Sequence, residues 1–307
     1  LKRLTLQGSR GAPLINASDG WLRLSECTLR GTADASALVL SAPGATVDVV
    51  QSAFEDNAYA GGSGGAVAAY AGTLNAASST FVNNSAAQGG AMALLGSGAV
   101  VAIEASTLRA NTASVAGGAL HVHAGALTLS NGSLLRGDNG APTGMGAVLR
   151  LEGGVVAYEL PAPLGRWLAS ADGAPLTYGS HEREIPVMCP PGVFGGSIAP
   201  EHQTSPQCEE PCPAGWQCPA ASHTPLPCSV GTYCPSGSAA GTPCPSGRFG
   251  IATDLQLEDE CDWCPPGAWC SGGQAVRCAH NSYNNATGQS DQGACVPCPA
   301  SSSTDHD

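Results

Sequence analysis

The chain has one lysine, Lys2, against eleven arginines, and its 12 basic side chains are outnumbered by 24 acidic ones. A reader of nucleic acid or a polybasic membrane binder needs the opposite balance, so no nucleic-acid partner is expected. The scarcity of lysine beside abundant Ala and Gly reads as GC-rich coding rather than as function. Between Asn57 and Ile103 formal charge is missing altogether. Even so, Gly, Ser, Asn and Gln interrupt every window of about 20 residues, the length a membrane span requires. This stretch therefore reads as a repeat built from small residues, and membrane association is expected only through parts outside this chain.

Cysteine is nearly absent from the first half. Cys27 stands alone there, while the other 13 of the 14 cysteines lie between Cys189 and Cys298. A dense, regularly spaced, proline-flanked set of this kind is the composition of a secreted scaffold without a large hydrophobic core, because cytosolic thiols stay reduced. The expected location is secreted, on an extracellular surface. The acidic excess is concentrated in the same half, where 11 Asp and Glu meet only Arg248 and Arg277. The chain also lacks an initiating methionine and a signal-like start, and it stops in the polar string Ser301-Ser302-Ser303-Thr304 just after Cys298. It is expected to be the ordered part of a longer protein.

Helical periodicity is missing as well. In its place, Phe54, Phe81, Leu108 and Leu135 recur with a strict period of 27, each two places after a serine (Ser52, Ser79, Ser106, Ser133). Extending the register backwards puts Ser25 and Cys27 at the same places, Cys27 as a free, buried thiol. Asn57, Asn84 and Asn111 keep the period, and Asn139 misses it by one. Between these anchors Gly64-Gly65-Ala66, Gly89-Gly90-Ala91, Gly117-Gly118-Ala119 and Gly146-Ala147 lead into short alternating runs, which read as strands after tight corners. A coil of that length with two or three short strands buries its apolar side chains by stacking on the next, as in a parallel β-helix. The repeated Phe or Leu then stacks inside, and Asn57, Asn84 and Asn111 form an amide ladder at a corner.

These residues resemble a known family. Phe54-Glu55-Asp56-Asn57 and Phe81-Val82-Asn83-Asn84, each followed by Gly-Gly-Ala, look like the FxxN and GGA repeats of chlamydial polymorphic outer-membrane proteins and related right-handed β-helix domains. The likeness covers about residues 20 to 150 and is clearest in two coils. It implies surface display and adhesion. Right-handed β-helices also house pectate lyases and polygalacturonases, whose sites need clustered carboxylates with Arg, Lys or His beside them. Here Asp48, Glu55 and Asp56 lie in one coil without like neighbours in the next. Arg109 and Arg136, 27 apart, are expected to stack and point to solvent. No catalytic residue and no cofactor is expected. His121 and His123 share a strand face as an exposed pair; no third ligand follows at metal spacing, so no metal site is expected.

After Gly153-Gly154 the period fails. Residues 158–188, with Pro161 and Pro163, are the expected cap or linker: Trp167 covers the last apolar rung and His181-Glu182-Arg183-Glu184 face solvent. The expected organisation is a parallel β-helix over 1–157, this cap, and cysteine-rich modules over 189–307. The modules repeat Cys, often Pro, any residue, Gly, any residue, aromatic, opening at Cys189, Cys212, Cys228, Cys244, Cys264 and Cys278. Proline sets φ early in a turn and glycine tolerates positive φ later, a place taken once by Asn281. The pattern looks like the ephrin-receptor-like cysteine repeat of large extracellular proteins. Zinc is disfavoured, since zinc cysteines come in closed groups of four. Sequence does not fix the connectivity, but one scheme leaves no cysteine over inside the array: Cys189–Cys208, Cys212–Cys218, Cys228–Cys234, Cys244–Cys261, Cys264–Cys270 and Cys278–Cys295, with Cys298 opening a further module. Each module's aromatic would pack on its own disulfide and the next module.

Four sequons, at Asn16, Asn83, Asn131 and Asn285, are candidate N-glycan acceptors, Asn285 in the most open loop and Asn83 beside the ladder. The expected function is a non-enzymatic structural or adhesive extracellular glycoprotein, with the β-helix as a packing surface and the modules as a semi-rigid spacer. Its expected partners are other copies of itself or other extracellular glycoproteins. Coding bias and modules together resemble algal surface proteins of flagellar mastigonemes or cell walls. The alternatives are a polysaccharide-active β-helix enzyme and the ectodomain of a membrane receptor.

Overall fold

The computed structural model describes residues 1–169, 173–300 and 302–304; Ser301 of the polar string and the end of the expected third region, at Asp307, lie outside the described residues. The chain is mainly β and divides into two compact units, Leu1–Met188 with Ile198–Ser205, and Cys189–Ser197 with Pro206–Asp307.

The first unit is a parallel β-solenoid of about six turns. One wall stacks Thr5–Gln7, Thr28–Arg30, Ala53–Glu55, Thr80–Val82, Thr107–Arg109 and Leu134–Leu135 in parallel register. A second, shorter wall stacks Ala58–Ser63, Ser85–Gln88 and Thr112–Ala116. The third is the longest, and within it the 11-residue strand Val67–Ala77 and the 13-residue strand Met92–Glu104 lie side by side. Alternation sends Val47, Val49, Leu74, Ala76, Val101, Ile103, Leu127 and Leu129 to the interior, where all are buried.

The first wall's central column runs Leu6, Leu29, Phe54, Phe81, Leu108, Leu135. Phe54 and Phe81 stack with ring centroids 5.0 Å apart and planes 13° from parallel. The neighbour of Phe54 in the preceding coil is thus Leu29, which corrects the expectation that Cys27 holds that place. The early coils are shorter, with a step of 23 from Leu6 to Leu29 and of 25 from Leu29 to Phe54. Cys27 instead joins the serine column: its N–H donates to Ser52 Oγ at 3.0 Å, as Ser52 N does to Ser79 Oγ and Ser79 N to Ser106 Oγ. It is a free thiol, 2% exposed.

At the next corner the asparagines form a continuous ladder. Asn57, Asn84 and Asn111 are fully buried, and each donates from Nδ2 to the Oδ1 of the next copy. Asn139, one place out of period, is the last rung, so the ladder outlasts the strict repeat. The residues just before the rungs, Asp56, Asn83 and Ala110, all have φ between 52° and 54°. Two of the three are the residue types that best tolerate this left-handed bend. The glycine pairs make the following corner, and a Cβ at Gly90 would collide with the carbonyl oxygens of Gly118 and Thr112 in the adjacent coil.

Beyond Tyr158 the chain turns back and covers its own last rung with antiparallel pairings. Gly179–His181 lies against Leu149–Leu151, and Ile185 exchanges hydrogen bonds with Leu135 at 2.9 and 3.1 Å. Such cover removes the unpaired strand edges that invite aggregation. Ile185, 7% exposed, pairs with the last rung of the first wall, while Trp167 sits in a two-stranded ribbon, Arg166–Trp167 with Val187–Met188. The cap's charges are also not all solvent-facing. Glu184 is 8% exposed and pairs with Arg166 Nη1 at 2.8 Å, and Glu182 accepts from the N–H groups of Gly146 and Ala147 at 2.7 and 2.8 Å. These corrections share one cause: backbone and guanidinium donors at the solenoid's end need acceptors, and the two glutamates supply them.

The second unit is a series of two-stranded turns, each accompanied by one disulfide. The six bonds are Cys189–Cys208, Cys212–Cys218, Cys228–Cys234, Cys244–Cys261, Cys264–Cys270 and Cys278–Cys295. The turn residues Gly192, Gly215, Gly231, Gly247 and Gly267 have φ of 82–91°, and Asn281 has φ of 60°. Phe249 packs on Cys264, Ala268 and Cys270 of the following module. Trp216 and Tyr283, by contrast, are 40% and 37% exposed. Packing of the aromatic on a disulfide is therefore not uniform, because a two-strand turn has too little cover to enclose every ring.

Candidate functional site

The surface that stands out is the outward face of the third wall. Register places Trp21, Thr46, Thr73, Val100, Ala126 and Val155 in one outward column. Arg23, Asp48, Asn75, Ala102, Thr128 and Ala157 form the next. Trp21, Val100 and Val155 are 64%, 48% and 47% exposed. Charge is confined to the margins, at Arg23 and Asp48 in the early coils and at Glu104 and Glu159 along one border. Between them the face is made of Thr, Asn, Ala and Val. Short side chains lose little rotamer freedom on contact, and an uncharged face has no ion to desolvate. Chemically, such a face suits close packing against another surface.

The residues considered for catalysis do not converge. Asp48 accepts from Trp21 Nε1 at 2.7 Å and from Asn75 Nδ2 at 2.9 Å, so both its oxygens are engaged by neutral donors from neighbouring coils. Asp56 accepts from Asn83 Nδ2 at 2.6 Å at a different corner, and Glu55 lies outward on the first wall. Arg109 and Arg136 are exposed. Among the described residues, no group of three or more His, Cys, Asp or Glu side chains is arranged to hold a metal ion, and no helix is long and apolar enough to cross a membrane.

The two histidines part company. His123 is 61% exposed in its side chain, but His121 is only 2% exposed, which overturns the expectation of an exposed pair. The glycine corners pass close to its backbone: a Cβ at Gly89 would lie 3.1 Å from His121 N, and one at Gly117 3.1 Å from its Cα. Glu152 Oε2 lies 3.2 Å from His121 Nε2 and 3.5 Å from His123 Nδ1, while Oε1 takes a hydrogen bond from Arg150 Nε. Neither ring nitrogen of His121 has a well-aligned hydrogen-bond partner among the described residues. Burial pushes His121 below its ordinary value, against the opposing pull of Glu152. Partial burial works to raise Glu152, but its contacts with His121, Arg150 and His123 outweigh this and leave its carboxyl lowered.

Glu152 was not singled out in the sequence, yet a signal for it exists. The glycine corner steps from Gly117 to Gly146, two places further than the period, and the same step taken from His123 lands on Glu152.

Compared with protein-family models, with curated proteins and with solved structures, the chain gives no match. The sequons occupy contrasting places. Asn16 is exposed on the strand Ile15–Ala17, with Oδ1 accepting from Ser41 Oγ. Asn83 and Asn131 donate Nδ2 to Asp56 and Glu104, and Asn285 is exposed in a loop.

Proposed function

We propose that the chain serves as a non-enzymatic extracellular structural or adhesive glycoprotein, in which the solenoid is a lateral packing surface and the disulfide modules are a spacer. The observation that carries this reading is the uncharged outward sheet face centred on Thr73, Asn75, Val100, Ala102, Ala126 and Thr128. Six closed disulfides are consistent with a secreted or extracellular setting and support that part. The engagement of Asp48 and Asp56 by neutral neighbours supports a scaffold over a hydrolase or lyase. The coils are similar to the repeats of chlamydial polymorphic outer-membrane proteins and the modules to ephrin-receptor-like repeats, and we read the whole as akin to algal flagellar or cell-wall glycoproteins. Its partners are further copies of the chain or other extracellular glycoproteins.

The test is sedimentation velocity of the secreted chain over a wide concentration range, with Ala102→Glu and Thr128→Glu as variants that place charge in the middle of the face. Self-association that both variants abolish, with circular dichroism unchanged, is the expected result. Cleavage of polygalacturonate or alginate that is lost on substitution of Asp48 or Asp56 would overturn the reading in favour of an enzyme.

A further inference from the structure

We propose that Asn285 carries an N-linked glycan in the mature protein and that Asn131, also in a sequon, stays bare; this rests on the extracellular reading above. The two sites present the same short motif in opposite structural settings.

In Asn285-Ala286-Thr287 all three residues are exposed. The residue before them is fixed: Asn284 is 7% exposed, donates Nδ2 to Ala268 O at 2.8 Å and accepts from Ala286 N at 2.9 Å. Asn285 thus sits at a defined outward point on an anchored loop, inside the ring closed by Cys278–Cys295. A sugar attached there displaces no buried contact.

In Asn131-Gly132-Ser133 the hydroxyl that the motif requires is consumed by the fold. Ser133 is fully buried, its Oγ lies 2.8 Å from both Ile103 O and Ser130 O, and it accepts from Ser106 N at 3.4 Å. The Asn131 amide itself donates to Glu104 Oε1 at 2.9 Å. Ser133 is a rung of the serine column, so once the coils stack this sequon is closed.

Timing points the same way. Transfer joins Asn Nδ2 to the anomeric carbon of a lipid-pyrophosphate-linked oligosaccharide. The carbon–oxygen bond to pyrophosphate breaks, the pyrophosphate keeps that electron pair, and the amide loses one proton. The step needs a flexible acceptor. The loop around Asn285 is closed by Cys278–Cys295, and disulfide formation takes seconds to hours, so Asn285 stays flexible until that bond forms.

The chain, led by a signal sequence, is to be secreted from a eukaryotic host as wild type, Asn285→Gln, Thr287→Ala and Asn131→Gln. Peptide mass spectrometry before and after enzymatic removal of N-glycans reads each sequon, and differential alkylation reads the thiols. Expected is loss of one glycan in Asn285→Gln and in Thr287→Ala, the latter with the asparagine intact, and no loss in Asn131→Gln. A bare Asn285, or an occupied Asn131, overturns the proposal. Six closed disulfides with a bare Asn285 would sink the glycan while leaving the extracellular reading in place. Free thiols throughout the secreted chain would sink that reading, with the occupancy of Asn285 still scored separately.

Discussion

Asn57 donates to Asn84 Oδ1 twice over, from its side-chain Nδ2 at 2.9 Å and from its main-chain N–H at 3.2 Å. The same double donation links Asn84 to Asn111 and Asn111 to Asn139. Each amide also ties down a carbonyl of the preceding coil, as Asn84 Nδ2 does with Phe54 O at 3.0 Å. One side-chain type thus satisfies the buried backbone of a tight bend and the next coil at once, which explains its recurrence at this corner.

Replacing Asn84 with Ala leaves Asn57 N and one Asn57 Nδ2 hydrogen buried without partners and removes the second donor to Phe54 O. At about 1–3 kcal/mol for each of the two orphaned groups, the expected destabilisation is about 2 kcal/mol or more. Asn84→Asp is no rescue, because it buries a carboxylate whose oxygen faces Asn111 Oδ1. Urea unfolding of both variants checks this; a loss under about 1 kcal/mol in either, less than one orphaned group costs, would show that the ladder is dispensable.

The stacked Phe54 and Phe81 are both fully buried. Phe81→Ala should cost about 3–5 kcal/mol through the cavity it opens. Phe81→Leu should cost far less, since Leu29 and Leu108 fill the same column in other coils. Thermal denaturation of the pair tests the contrast, and equal losses would mean that shape at this rung matters more than filling it.

Reduction should separate the two units. The solenoid has no disulfide and a continuous apolar core, whereas the second unit's buried side chains are chiefly its own half-cystines. Each bond contributes about 2–4 kcal/mol by restricting the unfolded chain. Dithiothreitol at neutral pH is expected to abolish amide-exchange protection across 206–300 and to preserve it in Val67–Ala77 and Met92–Glu104. Loss of protection in both at the same reductant concentration would refute this.

Acid should weaken the solenoid through His121. Its pKa is depressed in the fold, so below the unfolded value of about 6.5 the unfolded chain binds the proton more readily, and stability falls as pH drops through that value toward the folded one. Glu152 is lowered too, so its contribution is lost in a second, lower window below its ordinary 4.5. Urea midpoints between pH 8 and pH 5 should therefore decline in the wild type and stay flatter in His121→Ala. An identical slope in the two would remove His121 as the cause.

How far the structure was legible varies from residue to residue. Phe54, Phe81, Leu108 and Leu135 announced the stack because identical residues in parallel coils meet their own copies. Glu152 stayed hidden because the coil between Gly117 and Gly146 is two places longer than the period. The solenoid absorbs such differences locally: the register between Met92–Glu104 and Val67–Ala77 slips by two places between Leu94 and Gly98, and the full period is restored beyond. A fixed ruler laid along the sequence misses every such slip.

The coiled class of the first half and the disulfide-bonded, turn-built character of the second were legible along the chain, because both follow from chemistry repeated at regular intervals. The folded coils were needed to show that Leu29 rather than Cys27 precedes Phe54, that His121 is enclosed while His123 is open, that Glu184 is buried against Arg166, and that the chain reverses to close its own last rung. In each case the outcome depends on which backbone donor, acceptor or side chain from another coil arrives alongside. That is fixed by inter-coil hydrogen bonding and packing, and spacing along the chain does not encode it.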